Sequence, residues 1–238
     1  MTGNQLKTVA CISMAVDHVG FILFPKLAFL RYIGRIAMPL FAYCIAEGCR
    51  HTRSKPRYFL QVFGMALFCQ AFFLAEGLMG GGIRELYLNI LFTFSSAMAV
   101  CFAYMQLEEA ARRKDRRAIV PAIALFAAAL AAQSLISFLL EELLDMPVRF
   151  DYGISGMILP LFGLIFTEKR KRDISFGLGT VIFCLLLCRE IPYVWFSLLA
   201  LPLILLYNGK RGKYRLKTVF YLFYPLHFAV IYGIKLLI

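Results

Sequence analysis

Three histidines lie within or beside long apolar runs of this chain, where an ionisable side chain is costly. His18 follows Asp17 in the first apolar run, His227 lies in the last, and His51 comes four residues after Glu47. A charged group at the centre of a bilayer-spanning helix costs about 2.5–3.5 kcal/mol or more, so it needs a partner or a function. Histidine exchanges protons close to neutral pH, which suits acid–base chemistry. These positions therefore predict chemistry inside a membrane.

The composition predicts the elements that must position these residues. The chain has 238 residues, of which 61% are hydrophobic and only 17% charged. A soluble domain of this size could not bury so much apolar surface, whereas a bilayer covers it. The polar connections are short, so we expect no soluble domain. The sequence predicts an all-α, polytopic membrane helix bundle that forms a single domain over residues 1–238.

Nine apolar runs are candidate membrane spans, each judged against the roughly 20 residues that a crossing needs. They are Leu6–Phe24, Tyr32–Gly48, Tyr58–Leu78, Leu86–Met105, Ala118–Leu140, Ile154–Phe166, Ile174–Leu187, Tyr193–Tyr207 and Thr218–Leu237. The first run lacks a basic leader and a cleavage site, so we expect it to be a retained span rather than a signal peptide. The sixth to eighth runs are short.

Basic residues predict how these spans are oriented. Of the 26 Lys and Arg residues, 19 fall at Lys7 and in alternate connections at 50–58, 112–117, 169–172 and 210–217. The positive-inside rule places these segments in the cytoplasm, with the N-terminus inside and the C-terminus outside an inner membrane. The net charge of +12 follows from this topology, with anionic lipid head groups as possible partners and no nucleic acid expected.

Polar residues from separate spans fall between the midplane and the outer surface. They are Asp17, His18, Arg31, Arg35, Asn89, Asp151, Tyr152 and His227. At a rise of about 1.5 Å per residue, the two histidines lie near the midplane. Adjacent helical residues point about 100° apart, so we expect Asp17 to meet Arg35 or another cation while His18 faces a cavity.

Each of the other positions also has a structural interpretation. Arg31 and Arg35 could be interfacial anchors that extend to the head groups. Asn89 could bind a neighbouring helix, and Asp151 could cap the helix that follows it. His227 could be a packing histidine, although the proline two residues before it opens the helix backbone and favours a cavity.

A second polar cluster is predicted at the cytoplasmic end of the second span. It consists of Glu47, Arg50, His51, Thr52 and Arg53. The basic members could be explained by topology alone, but Glu47 lies within the span. An acid on the same helix face as His51 predicts a polar site that opens to the cytoplasm and holds a phosphate-bearing ligand.

Motifs of soluble enzymes do not compete with this interpretation. The sequence contains no Walker loop, GxSxG or HExxH motif, and Gly80-Gly81-Gly82 is expected to separate two spans rather than to bind phosphate. The three histidines lack the spacing of metal ligands, so no metal is expected, although a site assembled across helices is not excluded by spacing.

Several segments resemble the TraX family of membrane acetylases, and together they extend over nearly the whole chain. They are Asp17-His18-Val19-Gly20, Arg31-Tyr32-Ile33-Gly34-Arg35-Ile36-Ala37-Met38-Pro39-Leu40-Phe41-Ala42, Ile45-Ala46-Glu47-Gly48, His51-Thr52, Asn89-Ile90-Leu91-Phe92-Thr93, Asp151-Tyr152-Gly153 and Tyr221-Leu222-Phe223-Tyr224-Pro225-Leu226-His227. The family is named for N-terminal acetylation of conjugative pilin. It is similar in plan to membrane acyltransferases that use acetyl-CoA and a histidine in the first span.

The resemblance implies an acetyltransferase. Acetyl-CoA would bind at the inner cluster, and a pilin N-terminus or another exported peptide or glycan would be acetylated at the outer face. His18 would act as general base or as acetyl carrier, with Asp17 and Arg35 holding its geometry and charge. The residues expected to bind the substrate, at the acceptor or the oxyanion, are Arg31, Arg35, Asn89, Asp151, Tyr152 and His227.

Two other functions fit some of the same residues. Intramembrane Asp, His and Arg also build the proton relays of transporters, so a proton-coupled carrier is the main alternative. Carriers often contain inverted repeats, and no convincing internal repeat is visible in this sequence. A non-enzymatic assembly or lipid-binding protein would need only exposed basic patches and no buried histidines.

Overall fold

Helices make up most of the chain, as predicted. The computed structural model describes residues 1–79, 83–214 and 216–237. The helices are α1 Gly3–Ile22, α2 Ala28–Gly34, α3 Ala37–His51, α4 Lys55–Met79, α5 Ile90–Arg112, α6 Arg116–Leu144, α7 Gly153–Phe162, α8 Lys169–Leu187, α9 Ala200–Leu205 and α10 Lys217–Lys235, with a 3-10 helix over Val194–Leu199. Two short strands, β1 Leu86–Leu88 and β2 Val148–Phe150, complete the elements. The glycine segment 80–82 lies outside the described residues.

Four stretches of the described chain are long and apolar enough to cross a membrane. They are Ala28–His51, Lys55–Ala75, Ile90–Arg112 and Arg116–Leu144. The helical stretches at the predicted sixth and eighth spans, Gly153–Phe162 and Val194–Leu205, are apolar but shorter than the roughly 20 residues a crossing needs. Nine crossings are therefore not confirmed, and their number and the direction of the termini stay predictions.

The surface of α6 suits a bilayer rather than water. This 29-residue helix has only two buried residues, Ala122 and Gln133, and exposes large apolar side chains such as Val120, Ile136 and Leu139 along its length. Exposed apolar area on this scale is unfavourable in water and is satisfied by lipid or by another apolar surface. The helix thus supports the assignment of a membrane protein.

The predicted second span, Tyr32–Gly48, lies within the apolar stretch Ala28–His51, and a short turn divides that stretch into α2 and α3. The chain turns at Arg35 and Ile36 between α2 and α3. Pro39 has no N–H to donate to the Arg35 carbonyl, which would be its helical partner. The Ser197 hydroxyl donates to that carbonyl instead, at 3.1 Å. Arg35 itself keeps helical backbone angles, with φ of −61° and ψ of −20°.

The predicted fourth span begins later than expected, because Leu86–Leu88 forms a strand instead of a helical turn. β1 pairs in parallel with β2, with Tyr87 opposite Arg149. Side chains bond to the outer edge of each strand: Gln70 Nε2 donates to the Tyr87 carbonyl at 2.9 Å, and the Val148 N–H donates to Glu141 Oε1 at 3.0 Å. These bonds satisfy backbone groups that an isolated strand pair would leave exposed.

The described chain separates into two compact units. Unit 1 comprises Met1–Cys44 and Phe166–Ile238, and unit 2 comprises Ile45–Ile165. In unit 1, α1 packs against α2 and α10, and the 3-10 helix packs against α2, α8 and α9. In unit 2, α5 packs against α4, α6 and α7 around a core that includes Ala97, Val100 and Met157. The boundary falls inside α3, and the single-domain prediction over 1–238 stays a prediction.

Candidate functional site

The Asp17 carboxylate in α1 is held between two arginines of unit 1. Arg31 Nη1 donates to Asp17 Oδ2 at 2.7 Å, and Arg35 Nη2 donates to Oδ1 at 2.6 Å. The contact of Asp17 with Arg35 that the sequence predicts is confirmed, and Arg31 joins it instead of serving only as an anchor. The Arg35 side chain is 4% exposed and that of Asp17 is 11% exposed. Charge-assisted bonds of this length are strong when water is excluded.

Glycine at position 34 allows α1 and α2 to approach at this cluster. A Cβ built on Gly34 would overlap the Asp17 carboxylate and its Cβ, and one built on Gly20 would come within 2.6 Å of the Leu30 Cβ. Side chains larger than hydrogen would therefore push the carboxylate away from its two arginines. The two glycines are needed for close approach of the helices, a common requirement where membrane helices pack.

We expect Gly34→Ala to lower the free energy of unfolding by about 1–3 kcal/mol, since the added methyl group overpacks the site. Gly233→Ala is the matched control, because a Cβ there meets no atom within 4 Å and alanine is favoured within a helix. The control should be neutral or slightly stabilising. Denaturation in mixed micelles measures both variants, and equal stability of the two would contradict the packing role of Gly34.

Aromatic rings surround the two arginines. The guanidinium carbon of Arg35 lies 5.6 Å from the Tyr193 ring centroid, and that of Arg31 lies 4.9 Å from the Phe21 ring. Tyr32 stacks on Phe196 with 4.5 Å between centroids. Cation–π attraction holds the guanidinium groups in place and strengthens as water is excluded.

His18 and His227 contact each other within unit 1, although 209 residues separate them. His18 Nδ1 lies 2.7 Å from His227 Nε2. His227 Nδ1 lies 2.9 Å from the Phe223 carbonyl oxygen, one turn earlier in α10. His227 is buried and His18 is partly exposed, which fits a ring that is anchored on one side and open on the other. Both ring nitrogens of His227 are engaged, which also agrees with the alternative of a satisfied packing histidine, so its role at the acceptor stays a prediction.

The inner cluster lies in unit 2 and is only partly available for a ligand. Glu47 is 3.7 Å from both Arg50 Nε and His51 Nε2, and Arg50 Nη2 donates to the Gly163 carbonyl at 2.8 Å. Arg50 thus holds the end of α7. The side chain of His51 is 68% exposed, and that of Arg53 is also exposed. Thr52 donates its hydroxyl to the Ser54 carbonyl.

Asn89 is fully engaged in structural bonds of unit 2. Its Oδ1 accepts from the Leu91 N–H and caps α5. Its Nδ2 donates to the Ala66 carbonyl and to Gln70 Oε1, each at 3.0 Å. The residue is buried. This geometry favours the helix-packing alternative over acceptor binding, which stays a prediction.

Asp151 connects the strand pair to α5. Its Oδ1 accepts from the Tyr87 hydroxyl at 2.6 Å, and its carbonyl accepts from the Thr93 hydroxyl at 2.6 Å. Tyr152 follows in the left-handed conformation, with φ of 56°, which is uncommon for a residue with a Cβ. Both residues remain partly exposed. Their predicted role at the acceptor stays a prediction.

Sequence reasoning missed a buried polar cluster at the start of α8 in unit 1. The hydroxyl of Tyr43, a fully buried residue, donates to Asp173 Oδ1 at 2.8 Å and accepts from Arg172 Nε at 3.2 Å. Lys169 Nζ donates to Asp173 Oδ2 at 2.5 Å. The signal was available in part: Lys169 and Asp173 are four residues apart on one helix face. The tyrosine lies 130 residues away in sequence and could not be inferred from spacing.

These features define a helical membrane protein that buries a carboxylate–guanidinium cluster and a histidine pair. Among the residues described, no group of three or more His, Cys, Asp or Glu side chains could hold a metal ion. The chain belongs to the TraX protein family, which matches residues 2–235.

Two curated relatives show how far the similarity extends. The chain is similar to a probable fimbrial assembly protein, FimC of serogroup H1, from Dichelobacter nodosus, at 26% identity over 98% of this chain and 95% of the relative. It is also similar to an uncharacterized protein, RP591, of Rickettsia prowazekii strain Madrid E, at 44% identity over 27% of this chain and 25% of the relative. No solved structure matches the chain.

Proposed function

We propose that this protein is an inner-membrane acetyltransferase that modifies an exported acceptor. The observation that carries the proposal is the imidazole of His18, held at 2.7 Å by His227 and next in the chain to an Asp17 carboxylate fixed by two arginines. A nitrogen base with a fixed orientation in a water-poor environment is what acyl transfer needs. The TraX family assignment and a relative named as a fimbrial assembly protein support an acceptor on exported or fimbrial protein.

The proposed reaction moves an acetyl group from the thioester of acetyl-CoA to an amine or hydroxyl. In direct transfer, the free ring nitrogen of His18 takes the proton of the attacking amine while the new C–N bond forms. The C–S bond then breaks, and the proton passes to the leaving thiolate to give free CoA. If His18 carries the acetyl group, the same nitrogen attacks the thioester carbonyl first, the C–S bond breaks and CoA leaves as the thiolate. The acceptor amine then attacks the acetyl-imidazole, the bond between the acetyl carbon and His18 breaks, and the amine proton passes through that nitrogen to the thiolate.

Acetyl-CoA would be bound from the cytoplasm by the inner cluster. The exposed side chains of His51 and Arg53 suit the phosphate groups of the donor, because cationic donors to phosphate form charge-assisted bonds. Glu47 and Arg50 hold the local backbone and orient His51. The exposed His51 and Arg53 would therefore contact the donor, and the partly buried Glu47 and Arg50 would position them.

We expect His51→Ala/Arg53→Ala to weaken CoA binding about 30-fold, because each of the two exposed charge-assisted contacts contributes on the order of 1 kcal/mol. Acceptor preference should not change. Calorimetric titration of CoA into detergent-solubilised protein measures the affinity. Arg116→Ala/Arg117→Ala, which removes two exposed arginines of the same unit, is the control. Equal CoA affinity in the two double variants would contradict the assignment.

Purified protein mixed with acetyl-CoA and a panel of amine and hydroxyl acceptors tests the proposed function. The proposal expects release of free CoA that depends on both the acceptor and the protein. The alternative of a proton-coupled carrier expects counterflow of a small solute in vesicles without CoA release. Counterflow alone, with no acetylated product from any acceptor, would replace the enzyme assignment with the carrier.

A further inference from the structure

The bonding of His227 fixes where its protons lie. A backbone carbonyl oxygen only accepts hydrogen bonds, so the His227 Nδ1 that lies 2.9 Å from the Phe223 oxygen carries a hydrogen. In a neutral imidazole the other nitrogen then has a free lone pair. Nε2 of His227 is therefore an acceptor, and the His18 Nδ1 at 2.7 Å from it must be the donor. His18 keeps its lone pair on Nε2.

Packing holds the His227 ring in the orientation that its bond to His18 requires. The ring stacks on Phe223 with centroids 5.2 Å apart and planes 10° apart, and it also contacts Phe228 at 4.4 Å. Phe228 also lies against the His18 ring, with centroids 4.3 Å apart. Contacts with Phe223 and Phe228 of its own helix, together with the bond to His18 of α1, hold the His227 ring in this orientation.

The burial of His227 favours its neutral form. The residue is 8% exposed, and a charge held away from water is costly unless it is paired. The neutral form also preserves the bond to His18, since a doubly protonated His227 could not accept it.

We propose that His227 is a positioning residue that keeps His18 in the Nδ1–H tautomer, so that His18 Nε2 is the reacting nitrogen. This inference rests on the proposed acetyl transfer for its catalytic meaning, and it replaces the expected role of His227 in acceptor binding. When Nε2 takes the proton of the acceptor amine, the imidazolium of His18 keeps its Nδ1–H bond to the neutral ring of His227. The same nitrogen has the lone pair needed to attack a thioester, so direct and carrier routes both use it.

Nitrogen-15 NMR of histidine-labelled protein in nanodiscs tests the tautomer without any substrate. The chain has three histidines, so single substitutions assign every ring. We expect His18 to show a protonated Nδ1 and an unprotonated Nε2, and His227 to show the same pattern. In His227→Leu, the His18 pattern should shift towards the Nε2–H tautomer. A His18 protonated on Nε2 in the unsubstituted protein, or an unchanged His18 in His227→Leu, would overturn the inference.

Kinetics of substituted proteins test the positioning role separately. His227→Leu should lower kcat for acetyl transfer about tenfold to a hundredfold with KM for acetyl-CoA unchanged, because a base in the wrong tautomer cannot accept the proton. His227→Gln, whose amide oxygen can accept from His18 Nδ1, should recover much of that loss. Leu226→Ala, at an exposed neighbouring position, should not change kcat. Equal loss in His227→Gln and His227→Leu would overturn the positioning role.

The two measurements separate this inference from the proposed function. If the NMR pattern is found and no acceptor is acetylated, the assigned tautomers of His18 and His227 stand and the acetyltransferase proposal fails. If acetyl transfer is found and His18 is protonated on Nε2, the proposed function stands and the role assigned to His227 fails.

Discussion

Asp17→Leu is expected to lower the free energy of unfolding by about 3–5 kcal/mol, the largest effect on stability that we predict. The substitution leaves the Arg35 guanidinium, whose side chain is 4% exposed, without its carboxylate. Breaking a buried ion pair from one side is costly because the remaining charge stays desolvated. The one tryptophan of the chain, Trp195, lies in the 3-10 helix that packs against α2. Its fluorescence during denaturation in mixed micelles reports unfolding of unit 1.

The double variant Asp17→Leu/Arg35→Met separates the charge effect from the loss of packing. Removing both partners eliminates the buried charge, so the double variant should be more stable than Asp17→Leu alone by about 1–3 kcal/mol. Lys26→Ala removes an exposed cation of the same unit and should change stability by less than about 0.5 kcal/mol. Additive losses in the double variant would contradict the account of this cluster as a buried ion pair.

His18→Ala is expected to reduce acetyl transfer by about 10²–10⁴-fold, the range that a positioned general base contributes. CoA affinity should stay within about twofold, because the inner cluster is unaltered. The measurement is the initial rate of acceptor acetylation at saturating acetyl-CoA, with CoA binding measured in parallel. The ring nitrogen is lost, but α1 keeps its capping box at Thr2 and Gln5, so the helix should still form.

Ile12→Ala provides the control on the same helix. Ile12 is 58% exposed and lies outside the polar cluster, so the rate of transfer should be unchanged. A rate in His18→Ala equal to that of Ile12→Ala would remove His18 from the chemistry. A loss of CoA binding in His18→Ala as large as the loss of rate would instead assign the residue to donor binding.

The part of the site that could be predicted from sequence is the part governed by local rules. An acid in an apolar helix requires a cation, and the two arginines at the start of the next apolar run, Arg31 and Arg35, were the available partners. Asn89 likewise bonds to a neighbouring helix, at Ala66 and Gln70, as the structural alternative expected, whereas its N-cap role was not predicted. In both cases the partner or the helix lies close in sequence.

The rest of the site depends on contacts between distant segments. The His18–His227 bond and the Tyr43–Asp173 bond join residues that are 209 and 130 positions apart. Spacing cannot predict such pairs. The turn between α2 and α3 was missed for a related reason. Proline and glycine also occur in membrane helices that stay continuous, so Gly34 and Pro39 do not by themselves predict a turn. The Ser197 hydroxyl that bonds to the freed Arg35 carbonyl comes from a distant segment.

Transfer of a labelled acetyl group across a sealed membrane tests the central claim most directly. Proteoliposomes would enclose acetyl-CoA with a carbon-13-labelled acetyl group, and the outer solution would contain peptides with free N-termini, including fimbrial subunit sequences, and amino sugars. We predict a labelled amide on an outside acceptor with the unsubstituted protein, and labelling reduced by about 10²-fold or more with His18→Ala. Label that stays inside the vesicles with every acceptor, or equal labelling by His18→Ala, would contradict the account.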